Sequence, residues 1–369
     1  MSKRRDVSQA PSLTDKQLEA RCKELLEAGE SRNTKAAYRC ALNHYHNVWG
    51  GALPATEQDI CRYLTIYSSH HKPSTLRLRL AALSKIHRDL GQPDPTKGEI
   101  VQQLMKGIRV TNDAPQKKAK PMTLQFLRQI VEAIDRNATE ARRAAAESSV
   151  PLTEVQQHRL RRVLLASARN KALVLLGFWR GFRSDEISRL SVEGIEGARG
   201  AGLRIFLQRS KADRKAEGRS FPVPALRELC PVDAYFDWID EAGIREGRVF
   251  RGINRLGELA DTGLSSKSMG VLLAKICVDA GLDPNGISTH SLRHGFAHWA
   301  ADSDWDLQSL MEYVGWANVS NAKGYLPSRY NFGSLALTPA RLSEGTAPDV
   351  LGATPSIVGV ILSRTSGES

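Results

Sequence analysis

Residues 172–179 read ALVLLGFW, a run of apolar residues inside the helix-like stretch RNKALVLLGFWRGFR. A helix that is apolar on nearly every face has no solvent side, so other elements must enclose it. The run is far shorter than the roughly 18 residues of a membrane span, and no other run comes closer. It therefore marks the centre of a globular domain, with no membrane partner expected. The chain has 369 residues, enough for two domains with real cores.

Around this run the pattern is helical. TDKQLEARCKELLEAGE offers Thr14 and Gln17 in capping-box spacing. In SRNTKAAYRCALNHYHNVWGG, residues Ala37, Tyr38, Ala41, Leu42, Tyr45, Val48 and Trp49 recur at helical spacing. Thr56 precedes acidic residues as a helix start. KPSTLRLRLAALSKIHRDLG carries a stripe of Leu76, Leu80, Leu83 and Leu90, is stopped by Gly91, and holds Arg77, Arg79, Lys85 and Arg88 largely off that stripe. A shorter helix around EIVQQLMKGIRV follows. The expected layout is a disordered tail at 1–12, an all-helical domain at 13–110, a basic linker at 111–121 (TNDAPQKKAKP, with Lys117, Lys118 and Lys120), a second domain at 122–335 and a C-terminal tail at 336–369. In the second domain, GLRIFLQRSK and GRSFPVP read as strands of a hairpin with the charged tip ADRKAE, and helices resume from PVDAYFDWIDEAG.

The net charge of +12 favours a polyanionic partner. Five scattered cysteines without a CxxC pair argue against a disulfide framework or a cysteine zinc module, and for a reducing compartment. The basic N-terminus has no apolar segment behind it, so no signal peptide is expected.

The chemistry-bearing residues are spread along the second domain. Arg183 and Glu186 lie in GFRSDE, Lys211 in QRSKADRK, and His290, Arg293 and His294 in THSLRHGFAHW. Trp316 follows Gly315, and Tyr325 comes nine residues after Trp316. This ordered set resembles the tyrosine recombinase (phage integrase) family, and most of all its Cre-type members. The family pattern is Arg in G-[LFM]-R-x-x-E, Lys on a β-hairpin, H-x-L-R-H, His or Trp after a glycine, then Tyr eight to ten residues on. Most members carry His where this chain has Trp316; Cre-type members carry Trp. The first domain is similar to the family's helical core-binding domain, and the likeness spans about residues 13–330. The resemblance implies a mainly α fold with a small β-hairpin or sheet: an all-helical, SAM-like core-binding domain and a mixed α+β catalytic domain.

The resemblance also implies roles. Tyr325 is the nucleophile, since a phenol can hold a strand end as a phosphate ester. Arg183 and Arg293 hold the non-bridging oxygens by charge-assisted forks. Lys211 protonates the leaving oxygen, and His290 takes the Tyr325 proton or orients the phosphate. Trp316 donates its indole N–H, while Glu186 and His294 support. Plainer readings stay open: a helix-end cation for Arg183, a solvated charge for Lys211, core packing for Trp316, and Tyr313 or Tyr330 as rival nucleophiles. His290, His294 and His298 recur at four-residue spacing, which is also a zinc pattern. Arg293 beside them disfavours a cation, so neither metal nor cofactor is expected.

Lys35, Arg39, Arg77, Arg79, Lys85, Arg88, Lys117 and Lys118 are the expected DNA contacts, most of them to phosphate. The two domains are expected to clamp double-stranded DNA carrying a specific inverted-repeat site. A homotetramer on two synapsed sites, with or without an accessory DNA-binding protein, would exchange strands through a 3′-phosphotyrosine and a Holliday junction. Integration and resolution of dimers or cointegrates of a mobile element fit equally. The expected location is the cytoplasm, on the bacterial nucleoid during action. The alternatives are a catalytically silent, sequence-specific regulator, and a type IB topoisomerase or telomere resolvase.

Overall fold

The computed structural model describes residues 21, 29, 32–112, 119–208, 218–316 and 319. The expected tail at 1–12, the capping pair Thr14 and Gln17, Lys117, Lys118, Lys211, Tyr325, Tyr330 and the segment 336–369 lie outside them. Chain contacts divide the protein into two units at residues 117/118.

In the first unit, α1 (Arg32–Asn43) runs into a π-helical turn at His44–Val48. Then come α2 (Glu57–Tyr67), α3 (Pro73–Asp89) and α4 (Glu99–Thr111). Local chemistry sets the ends. The Asp59 N–H donates to Thr56 Oγ1 at 3.2 Å and the Thr56 N–H to Asp59 Oδ2 at 3.1 Å, a reciprocal cap for α2. Pro73 opens α3, where no N–H is required, and Gly91 takes the left-handed φ of +65° just beyond it. Tyr45, Ile60, Tyr63, Leu64, Leu76, Leu80, Leu83 and Val101 form the core. Leu90 departs from the expected stripe and is 52% exposed. It follows the last helical residue, Asp89, as the cap and leaves the buried face. Val48, at the end of the π turn, is likewise exposed.

In the second unit, α5 (Leu124–Ala146) and α6 (Glu154–Arg180) lead into the short α7 (Ser184–Arg189). Residues 172–180 are all buried, as the apolar run requires, because α5, α8 (Pro231–Ala242) and α10 (Thr289–Asp302) pack around α6. Strands β1 (Ile195–Ala198), β2 (Gly202–Leu207) and β3 (Arg219–Val223) form an antiparallel sheet in that order. Ile205 pairs with Ile195 on one side and Phe221 on the other. Leu203, Ile205 and Leu207 face the core while Arg204 and Phe206 face out, the alternation expected of a half-buried strand. Pro222 is tolerated because β3 is an edge strand. A second antiparallel pair, β4 (Arg251–Ile253) and β5 (Leu259–Gly263), precedes α9 (Ser266–Asp279). After α10 comes α11 (Leu307–Val314). Strands β1, β4 and β5 add to the expected hairpin; they are short and none of their residues is buried, so they carry little apolar periodicity. Among the described residues no helix is long and apolar enough to cross a membrane.

Two glycines let α10 sit close to its neighbours. A Cβ on Gly177 would stand 2.8 Å from Leu292 Cδ1, and one on Gly295 would stand 1.9 Å from the Met122 carbonyl oxygen. Gly295→Ala is therefore expected to lower unfolding stability by about 1–3 kcal/mol through overpacking. Urea denaturation of the full chain checks this, and an unchanged midpoint would show that the Met122 backbone yields at no cost.

Candidate active site

The left-handed turn after α6 organises the site. Gly181 caps α6 at φ +61°. Its carbonyl accepts a 2.6 Å hydrogen bond from the Arg293 guanidinium, which arrives from α10 and is buried. Two residues on, Arg183 starts α7: its N–H donates to Glu186 Oε2 at 2.8 Å and its guanidinium to Glu186 Oε1 at 2.8 Å. Glu186 is buried, whereas the Arg183 side chain is 24% exposed and reaches solvent. The carboxylate thus holds one edge of a guanidinium fork while leaving the group accessible. Two arginines flank one turn, each fixed by an oxygen of the domain.

Trp316 lies beside Arg293. Its ring is 5.4 Å from the Arg293 guanidinium carbon, and its backbone N–H donates to the Met311 carbonyl at 2.9 Å. His290 is exposed at the start of α10, three residues from Arg293. Its ring centroid is 6.4 Å from that of His294, with the planes nearly perpendicular. His294 Nδ1 lies 3.3 Å from the Ala119 carbonyl, so Nδ1 carries the proton. Among the described residues no three His, Cys, Asp or Glu side chains are placed to hold a metal ion. His298 is half-buried on the next turn.

The end of the expected linker is not a free loop. The Lys120 N–H donates to the Gly286 carbonyl and the Met122 N–H to the Ser291 carbonyl, each at 2.9 Å. With His294 on Ala119, residues 119–122 are laced to the start of α10. An apolar-periodicity reading of TNDAPQKKAKPM contains no sign of this, because the bonds use backbone atoms.

Tyr313 is occupied elsewhere. Its hydroxyl donates to the Trp179 carbonyl at 2.9 Å, and the Arg180 guanidinium carbon lies 4.1 Å from its ring centroid. Burial raises the phenol pKa, with Arg180 opposing. The hydroxyl is thus engaged by the backbone of the same unit. Arg180 itself donates to the Tyr313 carbonyl and is pushed down to about 10 by burial.

In the first unit, α1 and α3 border a groove of about 530 Å³ whose lining includes Lys35, Tyr38, Arg39, Asn43, His46 and Lys85. Arg39, Arg77 and Arg88 are exposed, and Lys85 pairs with Asp89 at 2.9 Å. Arg79 departs from its expected place off the buried stripe. It is 9% exposed, donates to the Tyr63 hydroxyl at 2.9 Å, and lies 5.9 Å from the Tyr63 and Tyr67 ring centroids. The aromatic residues of α2 draw it inward, so its fork is committed inside the unit. His44 Nδ1 is 3.0 Å from the same hydroxyl, and His71 stacks on Tyr67.

Burial lowers the pKa of His44, His71 and His294 below the ordinary 6.5; Arg79 and neighbouring histidines add to this for the first two. A depressed histidine pKa means that the unfolded chain binds protons first as pH falls. Stability carried by these three neutral rings is thus full above about pH 6.5 and declines below it, as pH falls through their folded-state values. Chemical denaturation at about pH 7.5 and about pH 5.5 should show a lower midpoint in acid, and a midpoint that rises in acid would contradict the burial of these rings.

Residues 152–331 match the model of the phage integrase family. The chain is 29% identical over 308 residues to an integrase/recombinase xerD homolog of Selenomonas ruminantium, covering 80% of this chain and 82% of that protein. It is 24% identical over 300 residues to the recombinase cre of Escherichia phage P1, covering 78% and 79%. In fold it is similar to the XerH site-specific recombinase solved with a palindromic difH substrate after cleavage, with TM-score 0.54, 19% identity and coverage of 85% and 81%. It is also similar to the Tn1549 transposon integrase solved with transposon right-end DNA, with TM-score 0.53, 12% identity and coverage of 83% and 93%.

Proposed function

We propose that this chain, which belongs to the tyrosine recombinase family of DNA strand-transferring enzymes, cuts and rejoins double-stranded DNA at a specific inverted-repeat site through a 3′-phosphotyrosine. The observation that carries the reading is the pair Arg183 and Arg293 at one turn, the first held by Glu186 and the second by the Gly181 carbonyl. A pentavalent phosphate has extra charge on its non-bridging oxygens, and two prepositioned guanidiniums favour it over the ground state.

The step balances without a cofactor. The Tyr325 oxygen attacks phosphorus, the bond from phosphorus to the 5′-oxygen breaks, His290 accepts the phenol proton, and Lys211 donates a proton to the leaving oxygen. Attack by the freed 5′-hydroxyl of a partner strand reverses the sequence. Exchange of one strand pair at a time gives a Holliday junction, and four protomers on two sites supply four nucleophiles. Integration, and resolution of dimers or cointegrates of a mobile element, are both uses of this chemistry. The working location is the cytoplasm, on the nucleoid.

Lys35, Arg39, Arg77, Lys85 and Arg88, with Lys117 and Lys118 of the linker, are the proposed DNA contacts of the first unit and its exit. If six to ten phosphates are contacted, affinity should fall by about 10³–10⁵ between roughly 50 and 200 mM salt. A fluorescence titration over that range checks it, and a flat response would remove the electrostatic footprint.

The decisive test is covalent trapping, with chelator present, on DNA from the flanks of the protein's own gene, nicked so that a short 5′ fragment escapes. A protease-sensitive adduct on the 3′-phosphate, absent in Tyr325→Phe while binding persists, is the expected result. An adduct that survives Tyr325→Phe would assign the nucleophile elsewhere. Tight, specific binding without any adduct would leave a DNA-binding regulator.

A further inference from the structure

Two arginines outside the expected site meet at the end of α11. Arg219, the first residue of β3, donates to the Glu312 carbonyl at 2.7 Å. Arg180, the last residue of α6, donates to the next carbonyl, that of Tyr313. Their guanidinium carbons lie 5.4 and 4.6 Å from the centroid of one shared ring, Phe221. Holding two cations around a single ring is unfavourable by itself, and the Arg219 charge helps lower the Arg180 pKa. The last carbonyls of a helix carry partial negative charge and have no partner within the helix, so they offset that repulsion. The Tyr313 hydroxyl on the Trp179 carbonyl closes the arrangement from the helix side.

The chain positions of these groups give the clamp its meaning. Arg219 follows Lys211 by eight residues on the return strand of the same hairpin, and Glu312 precedes Trp316 by four. Gly315, between them, turns at φ +74°, and a Cβ there would lie 3.3 Å from an Arg219 guanidinium nitrogen. The bond from Arg219 to Glu312 therefore ties β3, the strand that follows Lys211 in the chain, to α11, which precedes Trp316 and Tyr325 in the chain.

We propose that Arg219 is a positioning residue for strand cleavage: it holds the base of the hairpin in register with α11, so that Lys211 reaches the leaving oxygen of the phosphate that Tyr325 attacks. This rests on the reading of Tyr325 and Lys211 given above. Arg219 touches no reacting atom; it acts through the placement of the acid. Arg180 anchors the same helix end from the core and is the less informative target, because it is buried.

A bridging sulfur in place of the 5′-oxygen separates positioning from folding, since a thiolate leaves without a proton. Single-turnover cleavage by the full chain would be followed on matched oxygen and 5′-bridging-sulfur substrates for wild type, Arg219→Ala, Arg219→Lys and Lys211→Ala. Arg219→Ala is expected to cleave the oxygen substrate about 10²-fold more slowly, the scale of an ångström-sized misplacement. It should regain most of that loss on sulfur, as Lys211→Ala does, with DNA affinity unchanged. Arg219→Lys, which keeps a donor for the Glu312 carbonyl, should fall between the two. Equal losses on both substrates, or no loss on oxygen, would overturn the proposal. If wild type itself forms no adduct, the recombinase reading fails first, and the two failures are told apart.

Discussion

The second unit depends on the burial of the last turns of α6. Residues 172–180 have no solvent face, and α5, α8 and α10 exist in their places to enclose them. Each large apolar side chain so enclosed contributes about 1.5–3 kcal/mol. A turn that must be held still is therefore placed at its end. Gly181 takes the left-handed conformation there, offers its carbonyl to Arg293, and sets Arg183 at the start of α7. The site takes its rigidity from a helix that contributes none of its expected catalytic groups.

A chain of net charge +12 also spends cations inside. Arg79, Arg169 and Arg180 are buried, and among the described residues none of the three pairs with a carboxylate. Carbonyl oxygens, an amide, a phenol and aromatic rings take their place: Arg169 reaches Asn170 and the Arg251 carbonyl, Arg79 the Tyr63 hydroxyl, and Arg180 the Tyr313 carbonyl. Burial disfavours the charged form and brings Arg169 and Arg180 down to about 10, with the Tyr313 and Glu186 charges opposing it at Arg180. They remain charged at neutral pH, so each can bridge elements far apart in the chain.

Much of the fold was legible because it rests on short-range rules. Thr56 and Gly91 stand where capping chemistry puts them, and ALVLLGFW is the buried helix end that its composition requires. What stayed hidden were features of long sequence separation. Gly295 looks like a weak spot within a helix until the Met122 carbonyl is found against it. Arg79 and Arg88 lie on one helix and read alike, yet only Arg79 meets the rings of α2. Arg219 had a faint signal: strand alternation places it on the same face as Phe221 and Val223, where a charged side chain needs a partner.

The amino-acid sequence by itself determined the helical layout, the two-part division of the expectation and the order of the chemically able residues, since propensity, periodicity and capping act over a few neighbours. Only the tertiary structure decided which arginines face solvent and which are sealed in. It alone joined Arg293 to Gly181, residues 119–122 to α10, and β3 to α11. Those contacts are hydrogen bonds to backbone carbonyls and ring faces, which every residue or many residues can provide. No residue type announces them, and their partners are selected by packing in three dimensions.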